Sequence, residues 1–332
     1  MMGTYSELKM SNIFHISATP LVGAPGKIAH AQRTIGHFAT HLALSDYPQK
    51  GPLHGKFLNH SILRSEFTTK FIDELILQAD IVHIHNDIPR DWIEKLIHEN
   101  SRAMYVYHVH SPLREGPLYV PRADKYGIDF SLKLAVGQYQ PRHYPTYIPA
   151  PNLVLEPPAV RPRSPHEKLR VLFSPTHAQV GRWNNKHSDE LADAIYGLER
   201  AGKIEVVPFK GGVDPATLFS VRRACHVTID EIATGGFHQV SLEGLCAGNV
   251  VINRADYFSK LFFSQFCEGN FPPFLYADGA SVTDRICELA LDCSMTVEYQ
   301  RRSFEFAKTY MAPARFARIY DDIYQSASKY TA

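Results

Sequence analysis

Short apolar runs of strand length alternate with amphipathic stretches of helix length along this chain, and the alternation runs twice. In the first pass Ile13-Phe-His-Ile-Ser-Ala18 reads as a strand and enters Thr19-Pro-Leu-Val-Gly-Ala-Pro-Gly26, with a helix from about Lys27 to Leu44. A helix over Phe71 to Gln78, a strand over Asp80 to His85, a helix over Trp92 to Glu99 and a strand over Met104 to His110 follow. Eight prolines then fall within 25 residues, from Pro141 to Pro165, and read as an interdomain linker. The second pass has strands at Leu169 to Phe173, Ile204 to Pro208 and His226 to Asp230, with helices at Ser188 to Arg200 and Pro215 to Arg223. From Val282 onward the pattern is nearly all helical. Strand–helix alternation of this kind specifies parallel sheets with helices on their faces. At 332 residues two cores are expected. The division is 1–150, 151–303, and tail helices 304–332 that cross back to the first domain. The two domains are expected to face each other across a cleft, with ligands beyond the strand C-terminal ends.

Composition narrows the function classes. Hydrophobic residues make up 45% and charged residues 21%, which fits a folded globular protein. The formal net charge is +1, so no global electrostatic case for nucleic acid exists, and none is expected as a partner. The five cysteines, Cys225, Cys246, Cys267, Cys287 and Cys293, form no Cys-x-x-Cys pair and read as reduced thiols of a cytoplasmic protein. Residues 1–12 lack an apolar signal core, and no run of about 18 apolar residues exists to span a membrane. Peripheral membrane contact stays open.

The stretch most suggestive of chemistry is Thr234-Gly-Gly-Phe-His-Gln-Val-Ser-Leu-Glu-Gly-Leu-Cys-Ala-Gly-Asn-Val-Val-Ile252. It reads as a glycine-hinged loop, a short helix carrying Glu243, a small-residue helix end at Ala247 and Gly248, and a buried strand from Val250 to Ile252. A loop entering a helix N-terminus aims free backbone N–H groups and the positive end of the dipole at a phosphate. A carboxylate one to two turns further in can hold sugar hydroxyls.

Four segments resemble the retaining GT-B glycosyltransferases, the family 1 and family 4 glycosyl transferase domains. They are Val171-Leu-Phe-Ser-Pro-Thr176, Gly181-Arg-Trp-Asn-Asn-Lys186, Gly236-Phe237 through Glu243 to Ile252, and Tyr310 to Tyr324. The first half fits through its Gly loop, Asp80 to His85, and His110-Ser-Pro112. The resemblance implies two Rossmann-like domains and a nucleoside-diphosphate sugar, UDP- or GDP-linked, as donor substrate, with no other cofactor. It implies metal-independent, retaining transfer of a hexose to an acceptor hydroxyl, in polysaccharide or glycoconjugate synthesis. Arg182 and Lys186 would neutralise the leaving diphosphate, a term that is often the largest in catalysis. His110 would stand near the reacting sugar. Glu243 would accept from the ribose, and Gly235, Gly236, Phe237 and His238 would line the sugar and phosphates. Gly23 and Gly26 would face the donor phosphates or the acceptor from the first domain.

The chain departs from the pattern where many members carry two glutamates separated by seven residues: Glu243 is the second, and Gly235 stands at the first. The sugar contact is then open, with Asp230 or Glu231 as candidates to reach in. His108 is read as facing away from His110. Rival readings are a metal hydrolase built on the His83/His85 and His108/His110 pairs with Asp87, a nucleotide-sugar epimerase, and a non-catalytic sugar-nucleotide-binding subunit. The acceptor, whether lipid-linked glycan, small molecule, protein or modified nucleic acid, is not specified by the residues.

Overall fold

The computed structural model describes residues 10–110, 123–137, 144–173, 189–207, 212–233 and 235–328. Seven strands form one parallel sheet: β1 (Asn12–Ser17), β2 (Phe38–Ala43), β3 (Ile62–Leu63), β4 (Ile81–His85), β5 (Met104–Val109), β6 (Leu132–Val136) and β7 (Ile148–Ala150). Their order is β3-β2-β1-β4-β5-β6-β7. The chain therefore reverses direction across the sheet between β1 and β4, which places a crevice at the C-terminal ends of those two strands. A second parallel sheet holds β8 (Leu169–Phe173), β9 (Ile204–Val207), β10 (Val227–Ile229), β11 (Val250–Asn253) and β12 (Leu275–Tyr276) in the order β12-β11-β10-β8-β9. Its switch point lies between β8 and β10.

Helices α1 (Ala24–Thr34), α2 (Thr69–Leu77) and α3 (Arg90–Glu99) belong to the first sheet. Helices α4 (Asp189–Arg200), α5 (Pro215–Arg223), α6 (Gln239–Cys246), α7 (Tyr257–Ser264) and α8 (Val282–Leu291) belong to the second. Side-chain caps start several of them: Thr68 accepts from Phe71 N–H, Asp214 from Thr217 N–H and Asp256 from Ser259 N–H. Two long helices complete the chain, α9 (Cys293–Tyr310) against α6 and α10 (Pro313–Ser328) against α1. One continuous core joins Ile28 and Ala29 of α1, Leu242 and Leu245 of α6, Phe306 of α9 and Phe316 and Tyr320 of α10. Among the described residues no helix is long and apolar enough to cross a membrane. All five cysteines are free.

Two expectations are corrected. The helix expected over Lys27 to Leu44 stops at Thr34, because Gly36 at φ 108° turns the chain, and Phe38–Ala43 is strand β2. Its alternating burial, exposed Phe38 and buried Ala39, is the period-2 signature. The proline-rich stretch is also more than a linker. It contains β7 at the sheet edge, where Pro149 can lack an N–H without interrupting the ladder.

Candidate functional site

Six histidines line one face of the first sheet. Parallel pairing sets His15 opposite both His41 and His83, and His85 opposite His108. Residues two apart share a face, so His83 and His85 stack with ring centroids 4.2 Å apart, and His108 and His110 lie 4.1 Å apart. The expectation that His108 faces away from His110 is therefore wrong: the period of two puts them on one side. Helix α1 brings Gln32 and α10 brings Tyr320 and Tyr324 against this face.

The rings are linked by short contacts. Gln32 Oε1 is 2.7 Å from His15 Nε2, His15 Nδ1 is 2.9 Å from His85 Nε2, and His85 Nδ1 is 2.8 Å from His110 Nε2. In a second line Gln32 Nε2 donates to the Tyr324 hydroxyl at 3.1 Å, which is 2.8 Å from His83 Nδ1, and His83 Nε2 is 3.2 Å from His108 Nδ1. His41 is held separately between Ser17 and Ser61. Burial lowers all six pKa values, to about 4 for His15 and about 3 for His110, and well below the usual range for His41, His83, His85 and His108. Mutual repulsion between the imidazoles adds to the effect at His41, His83, His85 and His108, so the rings are neutral at pH 7. Ring nitrogens of His15, His83 and His85, and of His85, His108 and His110, lie within 4.8 Å of one another. Asp87, the carboxylate a hydrolase site would add, accepts instead from Tyr107 and Tyr126.

The crevice edge of this sheet carries unusual backbone. After β1, Leu21, Val22 and Gly23 are all left-handed, at φ 49°, 55° and 80°. A β-branched residue there is strained. Val22 is also 54% exposed and its side chain adds little packing. Val22→Gly is therefore expected to raise stability by about 1 kcal/mol, read as a higher urea midpoint with unchanged slope. A lower midpoint would show that Val22 packs on something that outweighs the strain. After β4, Asn86 is left-handed at φ 54°, and its side-chain oxygen accepts from His110 N–H at 2.8 Å. This clamps the backbone of His110.

Gly23 caps α1, whereas Gly26 is a packing glycine, since a Cβ there would meet Ser61 Oγ at 2.6 Å. Lys27, in the same turn, is 9% exposed and has no ion-pair partner among the described residues. Its side chain folds back over Gly23, with Cε 3.9 Å from where a Cβ on Gly23 would sit, and it lies within electrostatic reach of Cys246 at the end of α6.

In the second domain α6 forms as expected, but its N-terminus already holds a carboxylate. Asp230, at the end of β10, accepts from His238 N–H at 2.6 Å and from the Ser241 hydroxyl at 2.8 Å, with His238 Nδ1 at 3.2 Å. Asp230 thus organises the loop, and a phosphate at this helix end must share it with an anion. Phe237 is fully buried against Phe263 and Phe274, so any ligand contact there is through backbone. Gly235 sits at φ 82°, its carbonyl accepts from Asp256 N–H and the Ser259 hydroxyl, and a Cβ would come within 2.9 Å of Asp256 Oδ2. A glutamate at 235 would have to rebuild this turn. Glu231 is fully buried. Glu243 pairs with Arg222, whose Nη2 donates to Oε2 at 3.0 Å and whose Nη1 reaches Thr228 at 3.4 Å. Arg182 and Lys186 lie outside the described residues.

The structure thus brings His110, Gly23 and Lys27 to the crevice end of one sheet, and Gly235, Gly236, His238 and Glu243 to the corresponding end of the other. Sequence reasoning missed Lys27, Asn86 and Arg222. Lys27 had a visible signal, a lysine directly after a Gly-Ala-Pro-Gly helix start, but its burial was not visible.

No family model matches the chain, and no curated protein matches it. Solved structures do. An alpha-glucosyltransferase in complex with UDP-glucose and DNA containing an abasic site is similar at 12% identity and TM-score 0.60, over 95% of this chain and 99% of that one. Sucrose-phosphate synthase from Thermosynechococcus elongatus is similar at 11% identity and TM-score 0.57, over 95% and 98%. A glycosyltransferase from Rickettsia africae ESF-5 is similar at 13% identity and TM-score 0.56, over 96% and 99%. These are GT-B structures, and the fold of this chain is GT-B.

Proposed function

We propose that the protein is a glycosyltransferase that binds a UDP- or GDP-sugar between its two sheets and moves a hexose to an acceptor hydroxyl with retention and without a metal. Residues 1–150 form the acceptor-side domain, 151–303 the donor domain, and 304–332 the tie between them. The observation that supports this most is Lys27, whose side chain is largely buried at the crevice end of a GT-B sheet and has no ion-pair partner among the described residues. A diphosphate bound at this crevice would supply the counter-charge to that ammonium. Lys186 and Arg182 would approach the same diphosphate from the donor domain. His110 would meet the sugar and Glu243 the ribose. A similar structure holds UDP-glucose, which fits this donor class.

That structure also holds DNA. The present chain has a net charge of only +1 and no excess of cations to neutralise a run of phosphates, so a glycan, lipid-linked or small-molecule acceptor is favoured. Gly235 in place of a glutamate favours, as the second reading, a subunit that binds a sugar nucleotide without transferring it. Donor binding with neither transfer nor donor hydrolysis would select that reading.

The test is a thermal-shift series with UDP, GDP, ADP, TDP and CMP, then the sugars of the base that binds, each with and without EDTA. One diphosphate is expected to stabilise the protein, unchanged by EDTA. Lys27→Met is expected to keep or raise the melting temperature without ligand while weakening that diphosphate at least about tenfold, or about 1.4 kcal/mol. Lys186→Ala should lose turnover without losing stability. Equal diphosphate affinity in Lys27→Met would remove Lys27 from the site.

A further inference from the structure

Two histidines lie apart from the buried face. His30 on α1 and His60, two residues ahead of β3, stack with ring centroids 4.3 Å apart and planes inclined by 38°. Both are half-buried. Their contact is fixed from two sides. Gly26 lets α1 press on the loop, since a Cβ there would lie 3.2 Å from the His60 carbonyl oxygen. The next residue, Ser61, is held with its Oγ 2.7 Å from His41 Nδ1, and its N–H donates to the Leu58 carbonyl. The six buried histidines use their ring nitrogens within the protein, whereas none of the four ring nitrogens of His30 and His60 forms a hydrogen bond among the described residues. The pair also lies among cations. Lys27 and Arg33 stand three residues to either side of His30 and so flank it on α1. Among the described residues no carboxylate pairs with any of these four groups, while Lys95 and Lys133 have Asp73 and Asp124. The whole chain carries only +1, so this imbalance is local. Two imidazoles with open nitrogens suit either a metal cation or an anion. Lys27 and Arg33 repel the first and attract the second, which decides for the anion. Burial lowers the pKa of both rings. Arg33 adds to this at His30, and His30, Arg33 and Lys27 add to it at His60. Without an anion the rings are therefore neutral at pH 7, each with one N–H to donate.

We propose that His30 and His60, flanked by Lys27 and Arg33, form an oxyanion site on the first domain, and that in turnover it holds an acid group of the acceptor, a phosphate or a carboxylate. The first clause rests on the geometry alone, and the second on the glycosyltransferase reading. Lys27 leans away from His30, over Gly23. The site thus begins one helical turn beyond the place assigned to the donor diphosphate, and the two anions need not compete. An anion between the rings favours their protonated forms, so binding takes up protons and strengthens as pH falls. Four cationic groups suit a single acid group and not a run of phosphates, which narrows the acceptor to an acidic glycan or small molecule.

The experiment is histidine-ring NMR of the full chain titrated with sulfate, which does not itself take up protons in this range, against sodium chloride at equal ionic strength. His30→Gln and His60→Gln assign the two rings. Sulfate is expected to raise both pKa values by at least about half a unit and to leave the six buried rings unchanged. Its affinity should rise at least about fivefold from about pH 7.5 to about pH 6. The double variant His30→Gln/His60→Gln should lose at least about tenfold in sulfate affinity, and the pH dependence with it. Chloride acting as strongly as sulfate, or unchanged affinity in the double variant, would overturn the site. The wild-type comparison decides even if a variant fails to fold. With the sugar nucleotide that the thermal-shift series selects, an acidic acceptor is expected to exceed its neutral counterpart at least about tenfold in kcat/KM. The double variant should remove that difference through KM. Equal use of the two acceptors would overturn the acceptor assignment. Sulfate binding as expected, with no transfer to any acceptor, would leave the site standing and count instead against the glycosyltransferase reading.

Discussion

Acidification from pH 7.5 to about 5.5 is expected to remove on the order of 8 kcal/mol of stability and to unfold the protein in one steep step. The folded chain keeps His15, His41, His83, His85, His108 and His110 neutral, with burial as the largest cause in each case. In the unfolded chain each titrates near the ordinary value of about 6.5. The unfolded state therefore binds more protons below that value, and stability falls as pH falls. One unit below it, each imidazole contributes about 1.4 kcal/mol to that loss, and six act together. The loss continues down to the folded values, which are about 4 for His15 and about 3 for His110. Circular dichroism and tryptophan fluorescence followed from pH 7.5 to 4.5 measure it. A gradual transition with a midpoint below pH 4.5 would mean that the histidine face takes up protons while folded, against the burial described.

Glu243→Ala is expected to cost about 3–5 kcal/mol of stability, because it leaves the Arg222 guanidinium buried and without its carboxylate. The Arg222 side chain is 1% exposed, its Nε already lacks a partner, and Thr228 is its remaining long contact. Glu243→Gln keeps an acceptor in place and should lose much less. The pair of variants separates two roles that one residue combines. Urea denaturation reads the tie to Arg222, and nucleotide titration of Glu243→Gln reads any contact with a ribose. Equal stability of the alanine variant and wild type would show that Arg222 finds water or another acceptor. Unchanged nucleotide affinity in Glu243→Gln would confine Glu243 to the structural role.

Much of the fold was legible because parallel strands buried on both faces read as apolar runs, and Ile81 to His85, Met104 to Val109 and Val250 to Asn253 carried that signal. Strand β2 was not, because Phe38-Ala-Thr-His-Leu-Ala43 has few branched residues and follows a helix without a proline between them. Strand β7 was hidden by its own proline, which an edge position tolerates. For the site, the Gly235 to Glu243 segment was legible as loop and helix, since a glycine pair before an apolar helical run is a local pattern. Its partners were not. The Glu243 ion pair joins residues 21 apart, and the Asp230 cap joins β10 to α6 across a loop. The histidines were visible as two alternating pairs, but their assembly with His15 and His41 depends on strand order, and β1 lies between β2 and β4 only in the folded sheet.

The Tyr324 hydroxyl meets His83, 241 residues earlier, and Gln32, 292 residues earlier. During synthesis the first sheet can form its strands, but its histidine face has only α1 over it until α10 has left the ribosome. At about 5–20 residues per second that interval lasts on the order of ten to fifty seconds. Through it the nascent amino-terminal half carries a polar, unsealed surface, which gives a chaperone or a proteolytic enzyme its longest opportunity to act on this chain.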